Sequence, residues 1–290
     1  MRYRVRHETA YAYEELVSIC HNEIRLEPRE TPHQRRVATA LRIDPEPAAI
    51  HREGDYFGNP AHFFTVEEPH HQMVLVAESE IELAPAPAPR ETPAWDALRA
   101  ALADDRTPDA LGARELAFAS PLVPIADAFG AYAAPDFASG RAILPALVDL
   151  THRIHEDFRY RPGATSVATP IGDVLETREG VCQDFAHVEI ACLRALGLPA
   201  RYVSGYLHTR PAPGRARLVG ADASHAWVSA YCGPDAGWID LDPTNDLVVS
   251  DGHVTLAWGR DYADVSPIKG VLLGGGDHTV EVAVEVAPQD

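Results

Sequence analysis

The sequence predicts an α+β protein in two parts. An N-terminal antiparallel β domain occupies residues 1–84, and a second domain, residues 85–290, packs a central helix on an antiparallel sheet. Three observations predict this. The first third alternates apolar and polar residues with the two-residue period of strands. A Pro/Ala string, Ala84-Pro85-Ala86-Pro87-Ala88-Pro89, then interrupts the chain. Beyond it, one segment is apolar on nearly every side and is followed by short strand-like runs.

Taken in order, Met1, Tyr3 and Val5 form the first alternating run, Val37, Thr39, Leu41 and Ile43 the second, and Met73, Leu75 and Ala77 the third. Turn signals at Asp44-Pro45 and Gly58-Asn59-Pro60 separate them. Proline lacks the N–H that a central strand must donate, so the Pro/Ala string reads as a stiff linker and a domain boundary. Residues 95–103 and 143–158 carry helical spacing; the second run sets Leu144, Leu147, Val148, Ile154 and Phe158 on one face. Residues 85–150 are thus expected to hold the linker and packing helices, and residues 151–290 the core of the second domain. Residues 181–196 align Phe185, Val188, Cys192 and Ala195 in one stripe and stop at Gly197-Leu198-Pro199, as a buried central helix would. Strand-like runs follow at residues 201–207, 225–232 and 238–241, the last ending at Asp242-Pro243. Val280, Val282, Val284 and Val286 alternate near the C-terminus and are expected to add a fourth strand to the second domain.

Composition narrows the function. With 290 residues, 46% hydrophobic and 23% charged, the chain suits one large or two ordinary globular domains. Lys and Arg number 25 against 43 Asp and Glu, a formal charge of -18 that repels nucleic-acid backbones and anionic membrane surfaces. Neither nucleic acid nor membrane is expected as a partner. The start, Met1-Arg2-Tyr3-Arg4-Val5-Arg6, lacks the apolar stretch of a secretory leader, so a cytoplasmic address is expected. The four cysteines, at 20, 182, 192 and 232, are too scattered for a disulfide framework and form no C-x-x-C pair. A zinc site would have to draw on the 14 histidines without supporting spacing, so no metal and no cofactor is expected.

Cys182 opens the predicted central helix after Glu179-Gly180-Val181. Its sulfur would lie near unpaired backbone N–H groups and the positive end of the helix dipole, which favour negative charge there. The bland reading is a small buried hydrophobe, as assigned to Cys192 and Cys232. A thiol nucleophile needs a base, and the base an orienting group. His225 begins a run whose strand period puts His225, Trp227, Ser229 and Tyr231 on one face. Across a turn at residues 233–237, Asp240 and Asp242 share a face of the next strand, and hairpin pairing can bring either to the imidazole. The order Cys, His, Asp suits a thiol triad.

These residues resemble a known family. Gly180-Val181-Cys182-Gln183-Asp184-Phe185-Ala186-His187, Arg201-Tyr202-Val203-Ser204-Gly205-Tyr206, Ser224-His225-Ala226-Trp227 and Trp238-Ile239-Asp240-Leu241-Asp242-Pro243-Thr244-Asn245 are similar to bacterial transglutaminase-like proteins of the papain-like superfamily. Arg25-Leu26-Glu27-Pro28-Arg29 and Asp55-Tyr56-Phe57-Gly58-Asn59 resemble that family's N-terminal β module. The resemblance implies a papain/transglutaminase-like second domain, with Cys182 as nucleophile, His225 as general base and acid, and Asp242 orienting His225. The family's aspartate follows the strand tryptophan by four positions, which favours Asp242 over Asp240. An acyl-thioenzyme formed from a glutamine amide or peptide carbonyl, then captured by water or an amine, is implied with it.

The Cys182 N–H would meet the oxyanion; Tyr160 is a candidate second donor, against the reading of an aromatic that closes the core beneath residues 143–158. Asp184 is expected in a supporting position, and His187, five residues after Cys182, on another side of the helix. A peptide or protein is the expected substrate. No Asp-x-Asp-x-Asp-Gly loop supports a calcium requirement. The alternative is a non-catalytic scaffold, in which the β module and the papain-like domain form an interaction platform.

Overall fold

A computed structural model describes residues 1–86, 89–208, 224–250 and 252–289. Pro87 and Ala88 of the Pro/Ala string lie outside the described residues. The first five strands are β1 (Arg2–Ile24), β2 (Gln34–Asp44), β3 (Ile50–Gly54), β4 (Pro60–Val66) and β5 (His70–Leu83). Four helices follow: α1 (Trp95–Asp104), α2 (Pro108–Glu115), α3 (Asp127–Ala133) and α4 (Ile143–Asp157). Then come β6 (Arg159–Tyr160), α5 (Ile171–Thr177), β7 (Glu179–Gly180) and α6 (Cys182–Ala195). The chain continues through β8 (Ala200–Leu207), β9 (Ser224–Tyr231), β10 (Trp238–Asp242), β11 (Leu247–Val248) and β12 (His253–Gly259). It closes with α7 (Tyr262–Val265), β13 (Ile268–Gly274) and β14 (His278–Gln289). No described helix is long and apolar enough to cross a membrane.

Among the described residues, β1 organises a seven-stranded sheet. Its first half pairs with β5 on one side and β14 on the other, and its second half with β4 and β13. The valine run 280–286 therefore does not extend the second domain's sheet, as its position in the chain had suggested. It lies antiparallel beside β1, with Val286 opposite Val5, Val284 opposite His7, Val282 opposite Thr9 and Val280 opposite Tyr11. Alternation identifies a strand but not its partner, and here the partner sits at the other end of the chain.

The second sheet runs β11-β10-β9-β8-β12, all antiparallel. Helix α6 packs against it, burying nearly every side chain from Asp184 to Arg194. On α4 the buried face is Ile143, Ala146, Leu147, Leu150 and Ile154, whereas Val148, assigned to that face from the sequence, is 38% exposed. Tyr3, Val5, Val284 and Val286 of the first sheet share one continuous core with α6 and the second sheet.

Polar side chains complete the seam between the parts. The Gln34 carboxamide donates to the Thr255 carbonyl at 2.7 Å and accepts from the Thr255 N–H at 2.8 Å, standing in for a strand partner. Asn59 does the same for Trp258, at 2.9 Å in each direction. Arg29 lies over the Trp258 ring, 3.2 Å from its centroid, and bonds the Asn59 side chain. Arg29 and Asn59, which belong to the motifs that resemble the family's β module, thus fix that module to the second domain.

Candidate active site

Helix α6 begins at Cys182, and the Asp184 side chain caps its start. The Asp184 carboxylate accepts the Val181 N–H at 2.8 Å and the Thr165 hydroxyl at 2.6 Å. Gly180 makes room for this cap, since a Cβ there would stand 2.7 Å from the carboxylate Oδ2. Asp184 is therefore an acceptor that fixes the helix start, and offers nothing to an oxyanion. The N–H of Cys182 is among the first of the helix, with no intrahelical carbonyl to receive it. Cys182 is partly exposed, while Cys20, Cys192 and Cys232 are buried.

Strand β9 presents His225 to that sulfur. Its Nε2 lies 2.7 Å from Oδ2 of Asp242 on the neighbouring β10, and Cys182 is near enough to the ring to favour its charged form as well. With Nε2 taken, Nδ1 is the nitrogen left free to exchange a proton with the sulfur. Burial works against a charged ring, but Asp242 and Cys182 more than offset it, and His225 is raised to about 9.

Asp242 is fully buried and accepts on both oxygens. Oδ2 receives His225, His253 Nε2 at 2.9 Å and the Asn245 amide at 2.7 Å; Oδ1 receives the Thr244 and Asn245 N–H groups. A carboxylate only accepts, so both histidines present N–H to it. Burial pushes this carboxyl up, yet the bonds from His225 and His253 hold it well below the ordinary carboxylate range. Asp240 faces the same way but accepts the Trp227 indole N–H at 3.0 Å instead. Trp227 itself fills the space left by Gly205, where a Cβ would come within 2.6 Å of the indole ring.

The remaining sequence candidates fall into supporting positions. Tyr160 is 52% exposed and lies edge-on to Phe185, so it borders the core rather than closing it. Partial burial and the nearby Cys182 raise its hydroxyl above the ordinary tyrosine value. His187 is buried by α6 against Tyr202, accepts the Tyr262 N–H at 3.2 Å, and is lowered to about 4 by burial. It pins α7 to the central helix.

His253 was missed by sequence reasoning, because its strand, β12, was not recognised. The alternation of His253, Thr255 and Ala257 with Val254, Leu256 and Trp258 is the signal that could have found it. Ligand-capable atoms of His225, Asp242 and His253 lie within 4.8 Å of one another, a spacing that a metal ion could bridge. Both Nε2 atoms already meet one carboxylate oxygen, so a cation there would displace the bond that orients His225.

The geometry agrees with the kinship of the chain. Residues 3–82 match the bacterial transglutaminase-like N-terminal region, and residues 134–243 match the transglutaminase-like superfamily. An uncharacterized protein of Mycobacterium tuberculosis is 43% identical over 298 residues, spanning 99% of this chain and 93% of its own. A protein-glutamine gamma-glutamyltransferase of Pseudomonas aeruginosa is 36% identical over 143 residues, 46% of this chain and 21% of that protein. Among solved structures, a Cytophaga hutchinsonii protein provisionally assigned as a cysteine protease superposes with a TM-score of 0.78 at 23% identity, covering 100% of this chain and 91% of that one. That likeness establishes the fold. The chain belongs to the transglutaminase-like superfamily and carries its bacterial N-terminal β region.

Proposed function

We propose that this chain is a thiol acyl-transfer enzyme acting on a glutamine amide or peptide carbonyl of a peptide or protein. The observation that carries the reading is the chain of contacts from Cys182 at a capped helix start, through His225, to the buried Asp242. His225 holds its proton up to about pH 9, so at neutral pH it meets the substrate as an imidazolium. The Cys182 sulfur, its proton already passed to His225, adds to the carbonyl carbon, and the carbon–oxygen π pair moves onto oxygen near the Cys182 N–H. As the carbonyl re-forms, the carbon–nitrogen bond breaks and Nδ1 of His225 gives its proton to the departing ammonia or amine. The neutral ring then takes a proton from an entering water or amine, which attacks the thioester and releases the sulfur.

Relatives named as a protein-glutamine gamma-glutamyltransferase and as a peptide-N-glycanase-type asparagine amidase of Gallus gallus support amide chemistry. Four cysteines that form no disulfide with one another fit the cytoplasm as the working compartment. The scaffold alternative gives no account of a fully buried carboxylate aimed at His225.

Brief iodoacetamide treatment near neutral pH, read by intact mass, tests the reading. One adduct is expected, absent from Cys182→Ala, because the other three cysteines are at most 2% exposed. Ammonia release from glutamine peptides should follow the same substitution. A labelling pattern indifferent to Cys182, with no ammonia released, would favour the scaffold.

A further inference from the structure

The cavity beside Cys182 has a volume of about 370 Å³ and is shared between the two parts of the chain. One wall carries Cys182, Gln183, Tyr202 and His225; the other comes from β1, β14 and the approach to β13. The second wall is one face of the β sheet that changes duty along its length. At one end Val284 and Val286 are buried in the shared core, at 2% and 0% exposure. Two and four residues earlier on the same face, Val282 and Val280 are 56% and 47% exposed and line the cavity, beside Thr9 and Tyr11.

His7 holds the transition between these two ends. It is buried, bonded at 2.9 Å to the Tyr206 hydroxyl and at 2.9 Å to the Thr9 hydroxyl, and lowered to about 4 by burial, so it is neutral. Among the described residues that line the cavity there is no Asp, Glu, Lys or Arg. The charge that the described lining carries is that of His225, at the Cys182 end. Glu281 lies between the two valines in the strand and therefore points to the opposite face.

We propose that the β1 sheet forms the specificity wall of the site: Tyr11 of β1 and Val280 and Val282 of β14 receive an apolar side chain next to the amide whose carbonyl meets Cys182. The inference rests on the acyl-transfer reading and gives it a substrate class, a peptide segment with an aliphatic residue beside the reactive amide. A carboxylate held against Tyr11, Val280 and Val282 would lose its water to side chains that carry no charge to pair it.

Two electrophiles with the same reactive group test the wall: N-iodoacetyl-leucine amide and N-iodoacetyl-glutamate amide. Each Cys182 labelling rate is divided by the iodoacetamide rate of the same protein. Wild type is expected to prefer the leucine probe by about 10-fold or more, the range by which apolar pockets discriminate. Val282→Asp should abolish the preference, Val282→Thr should reduce it, and Glu281→Gln should leave it in place. Equal rates for the two probes on wild type, or a preference that survives Val282→Asp in a folded variant, would overturn the wall while leaving the acyl-transfer reading intact. Failure of Cys182 to react with iodoacetamide itself would overturn both.

Discussion

Replacing Asp242 by Asn removes one charge from the most enclosed part of the site and changes little in size. His225 stands at about 9 rather than 6.5, although burial, the largest single influence, opposes its charge. At 1.36 kcal/mol per tenfold change in proton affinity, this is a preference of about 3 kcal/mol for the imidazolium. Without the carboxylate, burial is opposed by Cys182 alone among these influences, and the His225 titration should move down. The departing nitrogen then loses its acid, and about 3 kcal/mol corresponds to a fall of roughly 100-fold in kcat/KM near pH 7. The sign for stability follows from the same shift. His225, raised on folding, contributes stability that is fully present below 6.5 and is lost as pH rises through about 9, and Asp242→Asn should flatten that dependence. Long-range nitrogen–proton spectra of histidine-labelled protein, with His225→Gln to identify the signal, would follow the titration while ammonia release follows turnover. Asp240→Asn, which touches the Trp227 bond and the charge facing the buried Arg201 but leaves His225 its partner, should change turnover less than tenfold. An unmoved His225 titration, or equal effects of the two substitutions, would refute the reasoning.

Further expectations concern the groups around this core. His253→Phe deprives Asp242 of a charge-assisted bond, so thermal stability should fall by about 1.5–3 kcal/mol. Asp242, depressed on folding, contributes stability that is lost as pH falls through its folded value, so the same variant should unfold at a higher pH in an acid titration. Differential scanning calorimetry across pH would check both. Glu189 is fully buried on α6, receives the Thr151 hydroxyl on one oxygen, and is raised by burial to about 8. A carboxyl raised on folding contributes stability that is full below 4.5 and is lost as pH rises through about 8. Glu189→Gln should thus raise the unfolding temperature above pH 8 and change it little near pH 5; a uniform shift would mean that packing, not protonation, is responsible.

What could be read without coordinates was local. The apolar stripe of α6, the alternation of β1, β2 and β5, and the helix start at Cys182 all follow from spacing over a few residues. Pairing across long stretches of chain was not readable in this way. Val280, Val282, Val284 and Val286 announce a strand, but only the fold shows that it completes the β1 sheet and turns its free end toward Cys182. Asp240 and Asp242 are equivalent by period, and what separates them is enclosure, since the five hydrogen bonds on Asp242 come from His225, His253 and the turn at residues 243–245. Asp184 was placed near the site by resemblance, whereas its position three residues after the helix N-cap already spelled out a cap. The exposure of Tyr160 was not readable, because an aromatic between a helix and a short strand fits a core or its rim equally well.

The central claim is a covalent acyl-enzyme on Cys182, and its most direct measurement is intact-mass spectrometry of wild type mixed briefly with a glutamine peptide that has leucine beside the reactive residue, quenched in acid. The account predicts an added mass equal to the peptide less ammonia, mapped to Cys182, discharged by hydroxylamine and absent from Cys182→Ala. Ammonia released at the wild-type rate by Cys182→Ala, or an adduct on any other residue, would contradict it.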